Sequence, residues 1–169
     1  MVSETFKKKA AAVKLIVTDV DGVWTDGRMY YTAGGEAMKG FSTYDGMGVQ
    51  RAREAGLEVA VVTGEESPVV SARAAKLGIR RLALGEKDKA SRVDSLCREL
   101  AIGLDQVAYI GDDVNDLETM RRVGLTALAC NSPVLGLFTP DYVTRRPGGD
   151  GAFRDFVDRI IEARSGPAQ

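Results

Sequence analysis

Histidine is absent from all 169 residues of the chain. That one absence removes Ser-His-Asp and Cys-His nucleophiles, imidazole acid–base work and histidine-ligated zinc together. Cysteine is scarce: Cys97 and Cys130 are too few for a disulfide framework and suit a reducing compartment, so a cytoplasmic protein is expected. No apolar run approaches the ~20 residues needed to span a bilayer. Ala10–Val17 is interrupted by Lys14 and runs straight into Asp19, so neither a membrane span nor a cleaved signal peptide is expected. Excess charge is missing too. Lys and Arg number 23 against 24 Asp and Glu, without the basic surplus of a nucleic-acid binder. The one basic cluster, Lys7-Lys8-Lys9, falls in an N-terminal arm (residues 1–12) and reads as solvated. Chemistry is left to carboxylates, lysines, hydroxyls, thiols and a hard metal ion.

With 44% hydrophobic and 28% charged residues, the chain has the composition and length of one globular domain, residues 1–169. Short β-rich runs alternate with amphipathic segments. Val13–Thr18, Leu57–Thr63 and Gln106–Ile110 read as buried strands, with weaker strands at Arg81–Leu84, Leu125–Ala129 and Tyr142–Thr144. Met47–Ala55, Pro68–Leu77, Lys89–Leu100 and Asp116–Val123 carry apolar residues at helical spacing. Gly56, Gly78, Gly103 and Gly124 stand where helices are expected to end. The alternation predicts an α/β fold, a parallel sheet with helices on both faces and a site beyond the carboxyl ends of the strands. One segment breaks the rhythm: Arg28–Thr32 and Ala37–Phe41 flank a Gly-Gly turn and predict an inserted β-hairpin flap over residues 27–42.

Acidic residues stand where apolar strands stop. Asp19 and Asp21 follow VKLIVT, and residues two apart on extended backbone share a face. Asp112 and Asp113 follow QVAYIG, with Asn115 and Asp116 close behind. Any one of these could be a turn former or a helix cap. Converging at one sheet edge, the set would need a positive charge, and oxygen-only ligands point to Mg²⁺. Thr63 ends another strand in TGE, where a hydroxyl and the N–H groups around Gly64 can hold phosphate oxygens. Lys89 can bring a cation to the same centre.

The ordered series DVDGV, TG, lysine and GDDVND resembles the haloacid dehalogenase superfamily from about Val13 to Asp116. The resemblance implies its three-layer, Rossmann-like fold and a phosphatase. Asp19 would be nucleophile and Asp21 general acid/base, through an aspartyl-phosphate. Mg²⁺ would be held by Asp19, the Asp21 carbonyl and Asp112, with Asp113 in support, and Thr63 and Lys89 would bind the phosphoryl oxygens. Too few residues lie between Asp21 and Thr63 for a separate cap domain.

DGVWTDG, FSTYDGMGV, TGEESPVV and PGGDGAFRDF extend the resemblance, from about Lys14 to Ile161, to small phosphatases of 2-keto-3-deoxy sugar acids. That subgroup implies a homotetramer whose hairpins close neighbouring sites. It also implies substrate contacts from Asp45, Gly46 and Arg154. The substrate that the resemblance implies is 3-deoxy-D-manno-octulosonate 8-phosphate or 2-keto-3-deoxynononate 9-phosphate. Glu65, where the octulosonate enzymes carry arginine, and Lys76 favour the nononate; the two could equally be an idle surface pair. The alternative from another class is a non-catalytic oligomerisation module. A receiver domain uses similar groups in a different order. Asp21 speaks against a dehalogenase, and the missing cap speaks against a mutase.

Overall fold

Leu15 and Val17 bury their side chains on one face of the first strand and Ile16 on the other, so strand β1 (Leu15–Thr18) carries two apolar clusters at once. A strand buried on both faces belongs in the middle of a parallel sheet, and that is where the computed structural model, which describes residues 3–165, places it. The other strands are β4 (Glu58–Val62), β5 (Arg81–Ala83), β6 (Val107–Gly111), β7 (Leu125–Leu128) and β8 (Tyr142–Val143). They form one parallel six-stranded sheet in the order β5-β4-β1-β6-β7-β8. Thr18 is in register with Val61 of β4 and Ile110 of β6. The loops after β1, β4 and β6 therefore leave the sheet side by side. The strand order reverses between β4 and β6, the crevice where ligands bind in open α/β sheets.

Helices cover both faces. Phe6, Val49, Val70, Ala74, Phe153 and Phe156 join one cluster, from α1 (Glu4–Ala12), α2 (Thr43–Glu54), α3 (Pro68–Lys76) and α6 (Ala152–Ser165). Val93, Leu96 and Met120, from α4 (Lys89–Leu100) and α5 (Leu117–Met120), fill the other. The predicted strands all appear, most of them trimmed at the ends. The hairpin is tighter than its sequence suggested: β2 (Tyr30–Thr32) pairs with β3 (Gly35–Met38) around a two-residue turn. Between Asp21 and Thr63 the chain builds only this hairpin, α2 and β4, so no separate cap is present.

Three expectations are corrected. The segment read as an N-terminal arm contains helix α1, capped by Ser3, which buries Phe6 and Ala10 four residues apart while its lysines stay outside. Residues 1 and 2 of that arm lie outside the described residues. Helix α4 ends on Ala101, which takes the left-handed conformation (φ 52°) instead of Gly103. Gly124 serves close packing: a Cβ there would lie 2.1 Å from the Asp105 carbonyl oxygen. Gly56 and Gly78 do take positive φ at helix ends, as expected.

Candidate active site

The backbone N–H of Asp19 still bonds the Ile110 carbonyl (3.0 Å), so the first carboxylate leaves the sheet on the last rung of the β1–β6 ladder. Gly22, at φ 79°, then turns the chain. The turn is stapled by Thr25, whose hydroxyl donates to Asp21 Oδ1 (3.1 Å) and accepts from the Gly22 and Gly27 N–H groups. Trp24 anchors it below, donating from Nε1 to Thr18 Oγ1 (3.0 Å) and packing 5.2 Å from Phe153. The glycine-rich segment braces the outer side. Gly149 N–H donates to the Val23 carbonyl, and a Cβ on Gly148 would sit 1.8 Å from the Gly22 carbonyl oxygen.

Lys89, the first residue of α4, is buried and bridges Asp19 Oδ2 and Asp116 Oδ1, each at 2.7 Å. Burial favours its neutral form, but Asp19 and Asp116 outweigh that and raise its pKa, so it is a cation. Asp116 was left without a role in the sequence, yet it organises the floor. Its Oδ1 also accepts from Tyr109 (2.6 Å), and its Oδ2 from the N–H groups of Asp112 (2.9 Å) and Asp113 (3.3 Å). The available signals were its position four residues after Asp112 and a lone tyrosine in an aliphatic strand.

Asp19, Asp112 and Asp116 bring carboxylate oxygens within 4.8 Å of one another. Asp116 already carries four hydrogen bonds, so the free coordinating capacity belongs to Asp19 and Asp112. Burial, followed by the charges of Asp19 and Asp116, raises the Asp112 carboxyl to about 8. Burial and Asp116 raise Asp19 to about 6 against the pull of Lys89. Two carboxylates that resist ionising together fit a divalent cation between them, and hard oxygen donors fit the same class of ion. The backbone makes room for this: a Cβ on Gly22 would lie 1.8 Å from Asp112 Oδ2. Gly22→Ala is accordingly expected to displace Asp112 and to strain a left-handed residue by roughly 1–2 kcal/mol. Activity should fall at least about a hundredfold with weaker metal binding by calorimetry; wild-type metal affinity would show that the cradle is not needed.

These groups open into a cleft of about 310 Å³, lined by Asp19, Asp21, Thr63, Gly64, Glu65 and Asp112, with Met29 and Val114 at its edges. Asp21 faces it beside Asp19. Lys39, from the end of the hairpin, is fully buried between Asp21 Oδ1 (2.7 Å) and Glu36 (2.9 Å). Burial disfavours its charge, but both carboxylates more than restore it and raise its pKa. Nothing in the spacing of the sequence announced this lysine.

Several predicted site residues point elsewhere. Asp113 is not one of them: it lines the cleft next to Asp112, caps the short turn Val114–Asp116 by accepting from Val114 N–H (2.7 Å), and its charge acts on Asp112 from beside it. Helix α2 begins at Thr43 with Ser42 as its cap, which puts Asp45 in the first turn rather than in a loop. Asp45 is buried against the start of α6, accepting from Arg154 N–H (3.0 Å). Burial raises it to about 6 despite the N–H groups of Arg154, Gly151 and Phe153. Gly46 faces α3, where a Cβ would meet Arg73 Nη2 at 2.8 Å. The Arg154 side chain pairs with Asp158 one turn along α6 (2.6 Å), away from the cleft. Glu65 lines the cleft, but Lys76 is exposed at the far end of α3, about 12 Å of helix away. No ion pair joins them among the described residues.

Comparison with known proteins agrees with this geometry. A family model described as haloacid dehalogenase-like hydrolase matches residues 41–124. The 3-deoxy-D-manno-octulosonate 8-phosphate phosphatase of Haemophilus influenzae is 37% identical over 94% of this chain and 88% of its own. The chain belongs to the haloacid dehalogenase-like hydrolases. It is similar to two solved members of the family. One is the octulosonate 8-phosphate phosphatase of Moraxella catarrhalis in complex with magnesium ion, phosphate ion and KDO (TM-score 0.90, 36% identity, 95% of this chain and 92% of that one). The other is the cobalt-bound H. influenzae enzyme (TM-score 0.89, 38% identity, 93% and 92%). As a haloacid dehalogenase-like hydrolase with phosphatase relatives across nearly its whole length, the protein is a phosphatase, and its acidic cluster suits a divalent cation.

Proposed function

We propose that the protein hydrolyses 3-deoxy-D-manno-octulosonate 8-phosphate, with Mg²⁺, through an aspartyl-phosphate on Asp19. The observation that carries the mechanism is the placement of Asp19 over Lys89, with Asp112 and Asp21 facing the same cleft. Asp19 attacks phosphorus while the ester P–O bond breaks, and Asp21 gives its proton to the departing alkoxide. In the second step Asp21 takes a proton from water as that water attacks phosphorus. The P–O bond to Asp19 breaks, and inorganic phosphate leaves. Splitting the reaction this way replaces one difficult displacement by two easier ones.

Thr63 and the backbone around Gly64 hold phosphoryl oxygens, and Lys89 keeps Asp19 anionic and oriented. Asp19, Asp112 and the Asp21 carbonyl would hold the Mg²⁺, with Asp113 beside them. Bound there, the ion would offset charge on the transferring phosphoryl group. The reading includes a homotetramer: Met29, Tyr30, Tyr31 and Met38 of the hairpin are exposed, with Met29 bordering the cleft, and such apolar side chains suit burial against neighbouring copies. Two free cysteines fit a cytoplasmic setting, and no helix among the described residues is long and apolar enough to cross a membrane.

The eight-carbon substrate is preferred over the nononate because the feature that favoured nine carbons does not assemble. Glu65 reaches the cleft, but Lys76 does not join it. The relatives named above are octulosonate enzymes. Phosphate release from both esters, assayed side by side with Mg²⁺, is expected to favour the octulosonate by at least about tenfold in kcat/KM, the scale of one well-placed polar contact. A preference for the nononate would replace the substrate and keep the mechanism. Turnover of neither by folded protein would remove the sugar-acid reading.

A further inference from the structure

The hairpin does more than overhang the cleft. Lys39 comes from its exit and is buried with no exposed side-chain surface. Its ammonium group lies between Asp21 Oδ1 (2.7 Å) and Glu36 Oε1 (2.9 Å). Glu36 in turn accepts from the Ser67 hydroxyl, and Ser67 is the N-cap of α3, the helix that follows the Thr63–Gly64 loop. A continuous polar chain thus runs from Asp21 through Lys39 and Glu36 to the helix behind the phosphate-binding loop.

The two oxygens of Asp21 are treated differently. Oδ1 accepts from Lys39 and from Thr25 (3.1 Å), both obligate donors in this arrangement. Oδ2 is buried and has no partner among the described residues. An orphaned buried oxygen is costly unless it has a task. Its partner oxygen is already fully occupied by donors, so a proton on Asp21 can only be carried on Oδ2 without setting two donors face to face. Thr25 alone would leave the carboxylate free to rotate about χ2, because a hydroxyl is a single weak anchor. A buried ammonium group bonded to the same oxygen adds a second, charge-assisted anchor that fixes the carboxylate.

We propose that Lys39 is a positioning residue for the phosphatase reaction: held in the hairpin, it grips Asp21 Oδ1 and fixes the Asp21 carboxyl group in place beside Asp19 at the cleft. The proposal rests on Asp21 being the general acid. It also assigns the hairpin a part in its own subunit's chemistry, since the clamp is carried on β3's exit.

The test compares leaving groups. A sugar-acid phosphate departs as a poor alkoxide that needs a proton, whereas p-nitrophenyl phosphate departs as a stable phenolate that does not. Since kcat/KM reports steps up to release of the leaving group, the second step of the reaction does not enter. Lys39→Met is expected to lower kcat/KM for the sugar-acid phosphate about a hundredfold and for p-nitrophenyl phosphate less than about threefold, the range of general-acid assistance. Lys39→Arg should recover most of the loss. Glu36→Gln, which loosens the hairpin but leaves Lys39 on Asp21, should affect both substrates by the same factor. Equal losses on the two substrates for Lys39→Met, or the same split for Glu36→Gln, would overturn the proposal in favour of a structural hairpin anchor. Asp21→Asn, run in parallel, separates the two levels. If it shows no split, the assignment of Asp21 as acid fails. If it shows the split and Lys39→Met does not, only the clamp fails.

Discussion

Asp19→Asn is expected to lower phosphate release from the preferred substrate by at least about 10⁴-fold, the scale seen when a covalent nucleophile is removed, with no loss of thermal stability. The two halves have one cause. Asp19 is buried, and burial together with Asp116 raises its pKa to about 6, so at pH 7.5 the fold carries an ionised carboxylate that it would rather protonate. An amide of the same shape still accepts from Val20 N–H, which now bonds Asp19 Oδ1 at 2.7 Å. Lys89 keeps Asp116 as its anionic partner. The metal-free cluster thereby loses one of its crowded negative charges and no packing. The measurement is a phosphate-release assay alongside thermal unfolding of the metal-free protein. A variant retaining more than a tenth of the activity would remove Asp19 as nucleophile. A variant that unfolds many degrees lower would show that the carboxylate was needed for the fold, and its inactivity would then say nothing about chemistry.

The parts of this site that were legible in the sequence are those set by strand periodicity. Asp19, Thr63 and Asp112 each follow an apolar run, and once those runs pair as β4-β1-β6 their ends must converge. Lys89 was legible for a related reason, since it opens a helix whose apolar spacing is plain from end to end. What escaped were contacts made by chain folding back from a distance. Lys39 lies 18 residues from Asp21 and reaches it only because the hairpin lies down over the turn. Asp45 was drawn into the site by likeness to relatives, but its carboxylate is spent on the first N–H groups of α6, a helix more than 100 residues away. Lys76 and Arg154 do not line this subunit's cleft, for a different reason. Lys76 lies at the far end of α3, a helix length from the cleft, and Arg154, in the first turn of α6, turns its side chain to Asp158; short motifs encode neither. Helix α1 was hidden by its own lysines: two buried residues four apart suffice to dock it, and a run of charge on the other face masked the pattern.

Removing divalent cation is expected to abolish turnover and to make stability fall as pH rises from about 4 to about 8. In the metal-free fold Asp112 is raised to about 8 and Asp19 and Asp45 to about 6, all from an unfolded value near 3.8. Between those values the folded chain holds protons that the unfolded chain has released, so each rise in pH favours unfolding. Asp155 and Glu36, held below their ordinary range, act in the other direction, but only in acid. A cation between Asp19 and Asp112 cancels the part of the slope due to those two groups, because it binds the ionised pair and must displace the proton on Asp112 to do so. Its stabilisation grows with the logarithm of its concentration over Kd, and that apparent Kd tightens tenfold per pH unit until Asp112 is ionised unaided. The increase in Tm on adding 5 mM Mg²⁺ (about that, to exceed a millimolar Kd) should thus be small at pH 6 and largest at pH 8 or above. Asp112→Asn should erase the Mg²⁺ increment and the upper part of the metal-free slope while leaving the part due to Asp45. An Mg²⁺ increment that is the same at pH 6 and pH 8.5 would mean that the ion does not compete with the Asp112 proton. The metal would then have to be placed elsewhere than between Asp19 and Asp112.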